Sequence, residues 1–221
     1  MPRFLIAAVL AAVAASVAVA VVTTTRASSP RQDLQIRIDA ADQAAARAAL
    51  LRRSDLGTGW NGGPTKPDRS PTGSCAGYAP KLSDLVQTGE GAAHFQHSGS
   101  LDVTSDAVVL RTPSMFARYW RRTVADPRLD ACFRSMFNRG AFRVVSFTRL
   151  AFPRLTRYVR AYRIVFAVRV QGKRIRFSGD LIFVGRGRTE LTVAFTAPAS
   201  VRRIVRGEAK LVKAALGRAR A

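Results

Sequence analysis

Residues that could bind a metal or act as a nucleophile are scarce in this chain. His94 and His97 are its only histidines, and Cys75 and Cys132 are its only cysteines. Two imidazoles three residues apart can share a metal ion on a helix, but the surrounding residues predict a strand, where such side chains point to opposite faces. We therefore predict no metal site at these positions.

The patterns of known catalytic sites are also missing from the sequence. No Gly-x-Ser-x-Gly segment is present to hold a nucleophilic serine. The few acids of the second half do not suggest the convergent carboxylate pair of a glycosidase. We predict no enzymatic activity and no cofactor, and an unrecognised envelope enzyme is kept as an alternative. The acids are interpreted as local partners at caps, turns or arginines: Asp126, Asp130, Asp180, Glu190 and Glu208.

The two cysteines predict a disulfide bond. An even number of cysteines in a chain that leaves the cytoplasm is typical of a structural disulfide. A bond between Cys75 and Cys132 would close a loop of about 57 residues, which in the chain-entropy model stabilises the fold by about 4 kcal/mol.

Positive charge is concentrated in the second half of the chain. Residues 1–110 have a net charge of +1 and residues 111–221 have +21, which together give +22. Such an excess is typical of a surface that binds a polyanion, for example an anionic lipid or an acidic envelope polymer. The alternative is compositional, since arginine outnumbers lysine thirty-one to five.

The strands predicted between residues 142 and 197 place many arginines together, because apolar and polar residues alternate along them. A two-residue turn at Gln171 and Gly172 sets Phe166 opposite Phe177 and Arg163 opposite Asp180. A turn over residues 186–188 sets Phe183 opposite Leu191 and Leu181 opposite Val193. The face away from the terminal helix is then predicted to be an anion-binding surface of six arginines: Arg143, Arg149, Arg163, Arg169, Arg174 and Arg176.

The two tryptophans, Trp60 and Trp120, are candidates for the lining of an apolar ligand cavity. Large aromatic side chains are common both in such cavities and in ordinary cores. Both interpretations stay open from the sequence.

The first 27 residues predict an export signal or a membrane anchor. After Arg3, the run from Phe4 to Val22 contains no charged residue, as in a secretory signal peptide. Its nineteen residues are also close to the roughly 20 that span a bilayer. Cleavage after Ala20 or Ala27 and retention as an anchor are both compatible with this run.

The remaining segments predict one α+β domain. Residues 28–53 are expected to form a helical linker, residues 57–77 an irregular loop, and residues 54–221 the domain itself. Pro113 and Pro127, each after a capping residue, predict two helix starts, and a third helix follows Pro198. We expect an antiparallel meander of about four to six strands packed on helices, mainly on one face, preceded by the N-terminal hydrophobic helix.

The order of these elements resembles that of a known group of envelope domains. The segment from Leu50 to Trp60, the two cysteines, the meander and the terminal helix resemble extracytoplasmic sensor-type domains of actinobacterial envelope proteins, including members with a PsbP-like or Mog1-like fold. The chain lacks the lipid-acceptor cysteine of some members and the kinase domain of others. The resemblance implies a non-enzymatic binding domain.

We therefore expect an exported or membrane-anchored binding domain that recognises an anionic lipid, a polymer or a small apolar ligand. A structural or protein-interaction module with a basic face is the alternative. Residues 4–22 would contact the membrane if they are not cleaved. We expect a monomer, and no nucleic acid partner for an exported chain.

Overall fold

The computed structural model describes residues 34–68, 75, 77–98, 101–137, 142–170, 173–201 and 205–219. The leader, the turn at residues 171–172 and the hydrophobic N-terminal helix lie outside these ranges. No helix among the described residues is long and apolar enough to cross a membrane. The strands are β1 (Gln35–Ile36), β2 (Trp60–Thr65), β3 (Val86–His97), β4 (Leu101–Leu110), β5 (Phe142–Arg149), β6 (Tyr158–Val170), β7 (Lys173–Arg186) and β8 (Thr189–Pro198), and the helices are α1 (Ala40–Ala48), α2 (Arg53–Leu56), α3 (Pro113–Arg122), α4 (Leu129–Phe137) and α5 (Val205–Arg218).

The eight strands form one sheet in the order β1-β3-β4-β8-β7-β6-β5, and β2 also pairs with β3. All pairings are antiparallel except that of β1 with β3. The α+β class is confirmed, but the expected four to six strands were too few. Two strands come from segments whose composition favoured a helix and a loop, and tertiary pairing with β3 decides the conformation of both.

Helices cover both faces of the sheet, so the expectation that they lie mainly on one face is wrong. On β7, Ile182 belongs to the apolar cluster that includes Ala46 of α1 and Val212 of α5. Its neighbour Phe183 belongs to the cluster that includes Phe116 of α3. Successive residues of a strand point to opposite faces, so continuous apolar runs in the central strands reflect burial on both sides.

The predicted start of α3 is confirmed in detail. Thr112 Oγ1 accepts a hydrogen bond from the backbone N–H of Met115 at 3.1 Å, and Pro113 is the first helical residue. Before α4, Asp126 accepts from the backbone N–H of Arg128 at 2.8 Å and also binds its guanidinium. Both caps satisfy donors that a helix start leaves unpaired.

One of the two predicted hairpin registers is correct, and the other is wrong by one residue. Phe166 lies opposite Phe177, and Arg163 lies opposite Asp180, as predicted. Between β7 and β8, Phe183 lies opposite Thr192 rather than Leu191. The turn there contains two residues instead of three, because Gly187 adopts a φ of 59° that allows a tight turn.

Residues 34–53 contain a strand and a short helix that are part of the packed domain. The helix begins after Asp39, whose carboxylate caps the N–H groups of Ala41 and Asp42. Ala46 and Ala49 are fully buried in the core. A helix over the whole of residues 33–53 is therefore not observed, since residues 35–36 pair with β3 instead.

Two arginines, Arg188 and Arg218, hold α1 in place. Arg188, in the β7–β8 turn, donates to both oxygens of Asp42 at 2.7 and 2.8 Å, and Thr88 Oγ1 donates to the same carboxylate. The Arg188 guanidinium holds the pKa of Asp42 below its usual range. At the other end of α1, Arg218 of α5 donates to the carbonyls of Ala48 and Leu50 and to Asp55.

The predicted disulfide between Cys75 and Cys132 is confirmed, with their Cα atoms 5.3 Å apart. It joins the segment before β3 to α4. Tyr78, Leu129 and Cys132 are buried together beside it, so the bond lies against a small apolar cluster of its own.

Two glycines of β7 provide a matched test of the packing between β7 and α3. A Cβ at Gly185 would overlap the ring of Phe116, which is fully buried, whereas a Cβ at Gly179 would meet its nearest atom at 3.7 Å. We expect Gly185→Ala to lower the free energy of unfolding by about 1–3 kcal/mol, as overpacking does. Gly179→Ala should leave it unchanged or raise it. Urea denaturation measures both, and equal effects would contradict this packing.

Candidate functional site

Five of the six predicted arginines lie on one face of the β5–β7 sheet. Arg143 and Arg176 are both opposite Ala167, and Arg169 is opposite Arg174. Arg149 is the exception, since it lies opposite Tyr162 on the other face. The reason is a β-bulge between Val144 and Ser146, because an extra residue reverses the side-chain alternation beyond it.

The sequence predicted that these arginines lie on the face away from the terminal helix, and this prediction is wrong. Ala161 and Ile182 lie on it, and both belong to the same apolar cluster as Val212 and Ala215 of α5. The arginines are nevertheless exposed, except for Arg163, because most of them lie near the turn end of the β6–β7 hairpin.

Arg163 has a structural role. Its guanidinium donates to both oxygens of Asp180 at 2.6 and 2.7 Å, and Asp180 is fully buried. This hydrogen bonding raises the pKa of Arg163. A buried carboxylate without its cation would be strongly destabilising, so Arg163 is not available to a ligand.

The other four arginines of this face, Arg143, Arg169, Arg174 and Arg176, are exposed, and we call them the arginine face. Within the described ranges, the side chains of Arg169, Arg174 and Arg176 make no ion pair. Like charges directly opposite each other on neighbouring strands are destabilising. Arg169, Arg174 and Arg176 are therefore a local excess of positive charge that no ion pair among the described residues neutralises.

The two tryptophans do not meet and do not line a common cavity. Trp60 lies against His97, with ring centroids 5.4 Å apart, and packs on the cluster that includes α1 and α5. Trp120 is buried on the opposite face beside Phe116 and Tyr158. Trp60 is thus half-buried at the margin of the core, and Trp120 is a buried core residue.

The histidines lie on β3, as predicted. His94 Nε2 is 2.5 Å from the carboxylate of Asp102, while His97 contacts Trp60. Across the described ranges, no group of three or more potential ligands is arranged to hold a metal ion.

Asp126 and Asp180 have the cap and arginine partners that the sequence analysis assigned to the acids of the second half. Asp130 instead accepts from the Tyr162 hydroxyl. No arginine of the described ranges forms an ion pair with Glu190. Its side chain is buried within β8, where Thr192 Oγ1 is 3.3 Å from one carboxyl oxygen. The other oxygen has no hydrogen-bond partner within the described part of the chain. Burial raises the pKa of Glu190 to about 7, and the charge of Glu190 adds to the effect of burial in raising the pKa of Tyr119.

A cleft that sequence reasoning missed lies along the edge of β3, in the gap between β1 and β2. It has a volume of about 360 Å³, within the roughly 300–1,000 Å³ of small-ligand pockets. The feature of the sequence that could have indicated this cleft is the glycine-rich segment after residue 57, which the sequence analysis interpreted as a loop. Gly62 and Gly63 of that segment form part of the cleft wall. The lining residues are Gln43, Arg47, Leu50, Leu51, Arg52, Arg53, Gly62, Gly63, Pro64, Thr65, Pro67, Glu90, Gly91, Ala92 and Phe95.

No protein-family model matches the chain, and no curated protein matches it. Solved structures give weak similarities. An uncharacterised protein from Mycobacterium smegmatis, an Rv0999 ortholog, is 15% identical, with a TM-score of 0.45, covering 81% of this chain and 98% of that one. LpqN of Mycobacterium tuberculosis, described as involved in cell envelope biogenesis, is 9% identical, with a TM-score of 0.31, covering 72% and 75%.

A third structure, the protein PA94 of unknown function from Pseudomonas aeruginosa, described as a putative regulator, is 13% identical, with a TM-score of 0.22, covering 46% of this chain and 70% of that one. All three TM-scores are below 0.5.

The buried Glu190 makes stability depend on pH. Its pKa of about 7, against an ordinary value of 4.5, corresponds to a difference of about 3 kcal/mol. Because the folded-state pKa is raised, the contribution of Glu190 to the free energy of unfolding is complete below pH 4.5. It falls as the pH rises from 4.5 and is lost once the pH has passed through 7. We expect Glu190→Gln to be more stable than the parent at pH 8, by up to about 3 kcal/mol, and similar to it at pH 4.

Urea unfolding of both proteins at pH 4, 6 and 8 measures this difference. Other titrating groups cancel between parent and variant. A difference that does not change with pH would show that Glu190 does not become buried in its neutral form.

Proposed function

We propose that this chain is an extracytoplasmic, non-enzymatic binding module whose arginine face binds an anionic lipid surface of the cell envelope. The observation that carries the proposal is the placement of Arg169 directly opposite Arg174, with Arg176 nearby and no ion pair from the described residues to neutralise any of the three. A lipid headgroup phosphate would accept hydrogen bonds from guanidinium groups and remove their mutual repulsion.

The hairpin end also carries an exposed apolar side chain. Ile175 lies between Arg174 and Arg176 in sequence, is 38% exposed, and points to the opposite face of β7. Apolar side chains enter the headgroup region of a bilayer, while neighbouring basic residues contact phosphate. A hairpin end that enters the headgroup region would use both of its faces, which favours a lipid surface over a soluble anion that would use only the charges.

The disulfide supports the proposed location. Disulfides form and persist in oxidising compartments and are rare in the cytosol. The bond between Cys75 and Cys132 therefore agrees with the export that the first 27 residues predict. The likeness to PsbP-like or Mog1-like domains stays a prediction.

The test is co-sedimentation of the oxidised chain from residue 28 onward, which contains every described element, with anionic and neutral vesicles across a salt series. We expect binding to anionic vesicles that falls as salt is raised. The triple variant Arg169→Gln, Arg174→Gln, Arg176→Gln should bind at least tenfold more weakly, since each basic residue near the surface contributes about 1 kcal/mol.

The matched control is the triple variant Arg37→Gln, Arg111→Gln, Arg121→Gln, which removes the same number of exposed arginines from other parts of the fold. It should bind like the parent. Equal loss in both variants would mean that net charge alone attracts the vesicles, and no binding of the parent at low salt would refute the proposal. In that case, a protein partner for the basic face becomes the better hypothesis.

A substitution in the arginine face should raise the free energy of unfolding and at the same time weaken vesicle binding. Replacing Arg174 by Glu converts a repulsive cross-strand pair into an attractive one, worth about 0.2–1 kcal/mol on each side. We expect Arg174→Glu to raise the free energy of unfolding at low salt while weakening vesicle binding. A variant that loses binding and stability together would point to misfolding instead.

A further inference from the structure

The cleft along the edge of β3 combines an apolar wall with a basic rim. Leu50, Phe95 and Pro64 are among the residues that form its wall, and the exposed side chains of Arg47 and Arg53 lie at its mouth. Within the described ranges, these two arginines make no hydrogen bond through their side chains and no ion pair. We propose that the cleft binds a small amphipathic anion, with its carboxylate or phosphate at the arginines and its alkyl part against the apolar wall.

Glycines line part of this space. Where β2 pairs with β3, Gly62 has a φ of 113°, and a Cβ there would overlap the carbonyl oxygen of His94. Gly91 on β3 approaches α1 so closely that a Cβ would lie 3.1 Å from Leu50 Cδ1. The backbones therefore approach each other closely, and no side chain from Gly62 or Gly91 fills the cleft between them.

The wall that carries the arginines is held rigidly. Arg218 donates to the carbonyl of Leu50 at 2.8 Å and to both oxygens of Asp55. The N–H of Leu51 donates to Ser105 Oγ at 3.1 Å. These contacts fix the corner between α1 and α2, so that Arg53 is presented at the mouth without ordering of the backbone on binding.

The open edge of β3 is satisfied without a ligand. Gln43 of α1 donates to the carbonyl of Glu90 and accepts from its N–H. The carboxylate of Glu90, the acid among the lining residues, accepts from Gln87 Nε2 at 2.8 Å. The backbone thus presents no unpaired group at Glu90 that would call for an added strand, which favours a small molecule over an extended peptide.

The volume limits the size of the ligand. About 360 Å³ is near the lower end of small-ligand pockets, so the cleft accepts a single short chain rather than a whole two-chain lipid. The cleft and the arginine face lie on different elements, so the proposal for one binding site can be wrong while the proposal for the other is right.

The test is isothermal titration calorimetry of the full-length chain with sodium decanoate, below its micelle concentration. We expect saturable binding that is at least tenfold weaker in Arg47→Gln, Arg53→Gln, because both charge-assisted contacts to the head are lost. The matched control Arg174→Gln, Arg176→Gln, which changes only the arginine face, should bind decanoate like the parent. Acetate, with the same head and no chain, should bind at least tenfold more weakly than decanoate.

Three results would overturn this inference. They are an absence of saturable decanoate binding, equal affinity in the parent and in Arg47→Gln, Arg53→Gln, or acetate binding as tightly as decanoate. Circular dichroism and urea unfolding of the variants check that they fold, which we expect because Arg47 and Arg53 are exposed and make no ion pair with any residue that the structure describes.

Discussion

The ion pair between Asp42 and Arg188 is the interaction on which the rest of the structure depends. Asp42 is on α1, at the beginning of the described chain, and Arg188 is in the β7–β8 turn, 146 residues later. Arg188 also donates to the carbonyls of Leu110 and Arg111, so one guanidinium joins the first helix, the end of β4 and the last hairpin. Because α1 is fixed there and at Arg218, the corner that bounds the β3 cleft has a defined position.

The same kind of pairing explains which arginines are free to bind a ligand. The chain has many more arginines than acids, and several carboxylates hold one arginine each within the fold, as Asp180 holds Arg163 and Asp55 holds Arg218. The arginines of β6 and β7 near their turn have no such partner in the ion pairs described, and neither do Arg47 and Arg53. The exposed arginines without an ion pair in the described ranges thus include two groups, one near the turn between β6 and β7 and the other at the mouth of an apolar cleft.

The sequence predicted those features that depend on local patterns or on matching faces. The Thr112 cap, the β6–β7 register, the Arg163–Asp180 pair and the disulfide all follow from side-chain type and spacing. The predictions from sequence were wrong where the backbone conformation of a single residue sets the register or the direction of the side chains. The bulge after Val144 places Arg149 on the other face, and Gly187 allows a turn that is one residue shorter than expected. The strand at residues 60–65 and the cleft beside it could not be predicted, because they depend on pairing with β3 rather than on their own composition.

We propose that the arginines in ion pairs hold the fold together, whereas Arg169, Arg174 and Arg176 bind anions. Nuclear magnetic resonance of the arginine Nε–Hε groups, recorded with and without anionic lipid nanodiscs at low salt, distinguishes these two roles. We expect the signals of Arg169, Arg174 and Arg176 to shift or broaden while those of Arg163, Arg188 and Arg218 stay in place. Equal perturbation of both sets, or perturbation confined to Arg206 of α5, would refute this division of roles.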